Sequence, residues 1–135
     1  MNNEEKKQYL RRYQAAKKRA KMIQEEIDEL RSSKTSPVGL GDGMPRGSGI
    51  SDLSGYAARL DELLRELEIK KKMQMQEYQE VHQQIMKVQN QTEKDVLVRR
   101  YILGQRWEDI AEKMGYSRRN VTRIHGYALN HFEIS

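Results

Sequence analysis

Cysteine is absent from this chain of 135 residues, which excludes disulfide cross-links and thiolate metal sites alike. Proline is nearly absent: Pro37 and Pro45 are the only two, and both fall within one short stretch. The long segments on either side therefore carry no proline to break a helix. No apolar run approaches the ~18 residues that a membrane-spanning helix requires. The start, Met1-Asn2-Asn3-Glu4-Glu5-Lys6, lacks the apolar core of a signal peptide. The expected setting is cytoplasmic, with no membrane partner. Hydrophobic residues make up 36% against 33% charged, a balance that disfavours one large globular core and suits long helices with a narrow apolar stripe.

Catalytic constellations are equally scarce. The three histidines are His82, His125 and His131. The last two are six residues apart and so do not share a helical face, and no carboxylate between them supplies metal-ligand spacing. No nucleophile can be matched with a base and an orienting acid. Gly39-Leu40-Gly41-Asp42-Gly43 lacks the Gly-Lys-Ser/Thr ending of a phosphate loop and follows no strand. The chain is expected to be no enzyme, and to hold no cofactor and no metal.

What the sequence does contain is helical periodicity. Over residues 1–33, Tyr9, Tyr13, Ala16, Ala20, Ile23, Ile27 and Leu30 recur at alternating spacings of four and three, a heptad stripe on one long helix over 4–32. Residues 34–51 hold both prolines and five of the nine glycines, which makes them a linker. Residues 52–91 resume the stripe on a second long helix with Leu60, Leu64, Leu67, Lys71, Gln74, Tyr78, Val81, Ile85 and Val88. Leu63, Ile69 and Met73 form only a weak second stripe. The basic runs Lys17–Lys21 and Lys70–Lys72 read as solvated flanks of these seams. Helices with so narrow a stripe need a partner, within the chain or in a homodimer.

Residues 92–135 change character. Thr92 is placed to cap a helix Glu93–Leu103 whose Val96, Leu97, Tyr101 and Ile102 face inward, and Gly104 ends it. Trp107, the only tryptophan, reads as a core anchor. A short helix with Ile110, Ala111 and Met114 then meets Gly115, where a turn with positive φ suits glycine. Ser117 caps a further helix that buries Val121, Ile124, Ala128 and Leu129. Two short helices around such a turn are a helix-turn-helix. Arg118, Arg119, Asn120, Thr122 and Arg123 are left to point outward, with arginine suited to guanine and asparagine to adenine in a major groove. Tyr116 and Ser117 are expected to reach phosphates. From Lys113 through Phe132 there is no acidic residue, although 20 of the 135 positions are Asp or Glu, so this helix differs from an ordinary solvated one.

The run Val96-Leu97-Val98-Arg99-Arg100-Tyr101-Ile102-Leu103-Gly104, with Glu108-Asp109-Ile110-Ala111, Gly115-Tyr116-Ser117 and Val121, resembles sigma-70 factor region 4. The whole chain looks like phage and prophage transcriptional regulators of the ArpU/RinA type. These carry a sigma-like helix-turn-helix behind a helical region and a linker reading much like Asp42-Gly43-Met44-Pro45-Arg46-Gly47. The resemblance implies a three-helix DNA-binding domain at the C-terminus, a bacterial host cell and contact with RNA polymerase. The expectation is an all-α, sequence-specific regulator that binds double-stranded DNA as a homodimer. Two alternatives are a DNA-packaging subunit of the small-terminase kind and a protein-interaction module.

Overall fold

The computed structural model describes residues 1–35 and 49–135. All regular structure among them is helical, in the order α1 (Asn3–Leu10), α2 (Arg12–Thr35), α3 (Gly49–Ile85), α4 (Gln91–Leu97), a π-helical turn (Val98–Ile102), α5 (Trp107–Met114) and α6 (Arg118–His131). No helix among the described residues is long and apolar enough to cross a membrane. The linker expected over 34–51 lies largely outside the described residues, although α2 runs to Thr35 and α3 already begins at Gly49.

The single helix expected over 4–32 is interrupted at Arg11. There ψ opens to −8°, while the Arg11 N–H still donates to the Lys7 carbonyl and the Arg11 carbonyl accepts from Ala15. One residue loosens and the hydrogen-bond ladder runs on. The second long helix ends at Ile85, earlier than expected. The N–H groups of Lys87 and Val88 turn to the carbonyls three residues back, at 3.2 and 3.0 Å, which tightens the chain out of the α-helix. Asn90, not Thr92, caps α4: its side-chain oxygen accepts from the Glu93 N–H at 2.9 Å, and the helix starts at Gln91. The expected helix Glu93–Leu103 then widens after Leu97 into the π turn, where the Leu103 N–H reaches back five residues to Val98 at 2.9 Å.

Two compact units emerge, one of residues 17–72 and one combining 1–16 with 73–135. In the first, α2 and α3 meet as two arms of a hairpin along Ala20, Ile23, Ile27, Leu63 and Leu67, with Leu30 and Leu60 beside them. Leu63 is buried and Leu64 exposed, the reverse of the expected stripe. The pattern that α3 buries has an 11-residue step, from Leu63 through half-buried Gln74 to Ile85. The rest of the expected stripe holds, with Leu67, Val81, Ile85 and Val88 buried and Leu60, Gln74 and Tyr78 half-buried, so only Leu64 and Lys71 of it face solvent.

The other unit packs α1, the start of α2 and the end of α3 together with everything after Gln89. Its larger cluster holds Leu10, Val81, Ile85, Val88, Leu97, Tyr101, Ile102, Ala128, Leu129 and Phe132. A smaller cluster of Val96, Ile110, Ala111 and Val121 lies under Trp107, Met114 and Ile124. Residues 92–135 therefore share their core with the N-terminal helix. Gln84 and Ser135 exchange two hydrogen bonds, at 3.1 and 3.2 Å, which ties the last residue to α3.

Candidate nucleic-acid interface

The α5–α6 segment is shaped by residues whose local conformations follow from their chemistry. Glu108 and Asp109 stand in the first turn of α5, where the helix dipole favours negative charge. At its other end Gly115 adopts φ 73°, and the N–H groups of Gly115 and Tyr116 close on the carbonyls of Glu112 and Ala111 at 3.3 and 3.0 Å. Only glycine takes this left-handed conformation without steric cost. Ser117 then caps α6 as expected, its hydroxyl oxygen accepting from the Asn120 N–H at 3.1 Å.

α6 divides sharply between two faces. Val121, His125, Ala128 and Leu129 are buried, while Arg118, Arg119, Thr122, Arg123 and Tyr127 are exposed and Asn120 is half-buried. The expected surface residues are not all equally available. Arg118 pairs with Glu108 of α5 at 3.1 Å. Arg123 donates to the Asn120 side-chain oxygen at 2.6 Å, and the Thr122 hydroxyl donates to the Arg119 carbonyl at 2.9 Å. Arg119 makes no ion pair with the described residues and stands open to solvent. Tyr116 lies at the turn, 40% exposed. Among the three arginines of α6, Arg118 is thus the one paired with an acid of the described residues. Both partners are exposed, so the pair is weak and readily exchanged for another anion.

Beneath this surface lies an arrangement that sequence reasoning missed. His125, read only as a residue without metal-ligand spacing, sits 8% exposed inside the fold. Its Nε2 is 2.7 Å from the Tyr101 hydroxyl, and the Trp107 ring meets it edge-on at 4.7 Å. Arg100 lies over the Trp107 ring, 4.3 Å from its centroid, in cation–π geometry. The tryptophan expected to be a core anchor is half-buried and bridges a cation to a histidine. Burial pushes His125 down to about 4, and the cations Lys7, Arg100 and Arg11 act in the same direction. Burial likewise raises Tyr101 above the ordinary tyrosine range. Both side chains are therefore neutral near pH 7.

α1 also belongs to this region. Lys6 donates to the Leu129 carbonyl at 2.8 Å, and Asn3 donates to the Asn130 side chain at 3.2 Å. At the end of α6, His131 Nδ1 lies 2.7 Å from a carboxylate oxygen of buried Glu93. The hydrogen-bonded pairs, 24 to 127 positions apart, leave no local signature in the sequence. Among the described residues no three His, Cys, Asp or Glu side chains gather as metal ligands. No family model, curated protein or solved structure matches this chain.

Proposed function

We propose that this protein is a sequence-specific DNA-binding regulator of phage or prophage transcription, with α5, the Gly115 turn and α6 acting as a helix-turn-helix of the sigma region 4 kind. The observation that carries the proposal is the division of α6: Val121 is fully buried while Arg119, Thr122 and Arg123 face solvent, in a run from Lys113 to Phe132 without one acidic residue. A helix presented in this way fits a major groove, where arginine and asparagine read base edges and flanking groups touch phosphates. Arg119 and Arg123 are the principal base readers. Arg118 exchanges Glu108 for a phosphate on binding, and Tyr116 and Ser117 flank the backbone. The proposed activity is binding, not catalysis, and its setting is the host cytoplasm.

The proposal includes a homodimer, because the hairpin of residues 17–72 leaves Leu53, Leu64 and Ile69 exposed. Two α6 helices held at a fixed distance would meet half-sites about one helical turn of DNA apart, or a multiple of it. Contact with RNA polymerase is part of the same proposal, through the likeness to region 4. Selection of bound duplexes from a random pool tests it directly. A defined motif should emerge, with affinity falling steeply as salt rises. Arg119→Ala should relax one position of the motif at a cost of ~1–3 kcal/mol. Failure to retain any duplex at low salt overturns the proposal. Mass in solution separates a dimer from the larger ring of a packaging subunit.

A further inference from the structure

Gly126 occupies an unusual place on α6. It lies eight residues inside a helix of 14, not at a cap, and it is not among the glycines with positive φ. A Cβ built there would meet nothing within 4 Å, so no neighbouring element needs the missing side chain. A glycine inside a helix costs about 0.5–1 kcal/mol relative to alanine. No close approach by a neighbouring element accounts for that loss.

At 100° per residue, position 126 falls about 140° around α6 from buried Val121, between the directions of Arg119, Thr122, Arg123 and Asn130. These four side chains are exposed; Gly126 itself is half-buried, with buried Leu129 on its inner flank, and offers only backbone between them. A surface approaching this face would come closest to the α6 axis at Gly126, with longer side chains reaching past it on either side.

We propose that Gly126 is the point of closest approach between α6 and the DNA duplex, a positioning residue that sets how deep the helix lies in the groove. The inference rests on the DNA-binding reading and adds to it a residue with no side chain to make a contact. A methyl group at 126 holds the helix away from the base edges, so Arg119 and Arg123 lose reach together.

The test compares Gly126→Ala with Gly55→Ala in the full chain. Gly55 is likewise inside a helix, exposed on α3, with nothing within 4 Å of a built Cβ. Both variants should melt slightly above the wild type. Against a duplex selected by the wild-type protein from a random pool, Gly126→Ala should bind about tenfold more weakly, the size of one lost base contact, while Gly55→Ala binds as before. The loss should be larger on the selected duplex than on a scrambled one, because depth in the groove governs base contacts more than phosphate contacts. Equal affinity of Gly126→Ala and the wild type overturns the inference and leaves DNA binding intact. A wild type that binds no duplex overturns both.

Discussion

The same two long helices contribute to both compact units, yet they bury their side chains in different ways. In residues 17–72, α2 and α3 meet only each other, and the seam consists of five buried apolar residues, one of them alanine. In the other unit, α1 and the ends of these helices are covered by α4, the π turn and α6, and the main cluster doubles in membership to include Phe132 and Leu10 with no exposure. Two helices can bury only facing stripes, whereas several crossing elements can enclose a side chain on all sides. Stability should therefore be concentrated where α6 is held, and the hairpin should open first.

The largest expected effect is at Phe132, which packs beside the Tyr9 ring at a centroid distance of 6.1 Å. Phe132→Ala should cost about 3–5 kcal/mol in denaturant unfolding, since it empties a fully enclosed site. Ile27→Ala in the hairpin seam should cost about 2–3 kcal/mol, the low end of the range for such a truncation, because a two-helix seam can collapse around it, and hydrogen exchange should show the loss confined to residues 17–72. Spread of that loss into α6 would break the proposed difference between the units.

Acid separates the units in another way. His125 is neutral in the folded protein down to about pH 4, while in the unfolded chain it takes up a proton near pH 6.5. Its burial therefore favours folding fully above pH 6.5. That contribution is lost as pH falls toward 4, by roughly 2–3 kcal/mol. His125→Gln should flatten this part of the stability profile, measured by urea unfolding at a series of pH values. Ser117→Ala removes the cap of α6 and should cost ~1 kcal/mol. The smallest effect belongs to the exposed pair of Glu108 and Arg118. Glu108→Gln should change stability by less than about 0.5 kcal/mol but should strengthen duplex binding at low salt, because Arg118 is released and one negative charge is removed.

Particular elements explain how far the sequence could be read. Ser117, Gly115 and Gly104 act on their immediate neighbours, so the turn, the cap and the helix end fall where residue types alone put them. Val121, Ala128 and Leu129 are buried as their spacing requires. The start of α4 was misplaced because Asn90 and Thr92 are both capping types, and the early end of α3 favours the nearer one. The exchange of Leu63 for Leu64 arose because adjacent leucines fit a heptad almost equally well.

The amino-acid sequence alone determined that the described residues are helical, where α5 and α6 begin, and which face of α6 carries cations, because capping, glycine conformation and apolar periodicity act over a few residues. Tertiary structure alone decided that His125 is neutral against Tyr101 and Trp107, that Arg118 is held by Glu108, and that α1 closes over the end of α6. These contacts join side chains on different helices, and their strength depends on how much water the assembled elements exclude, a property that no short stretch of sequence possesses.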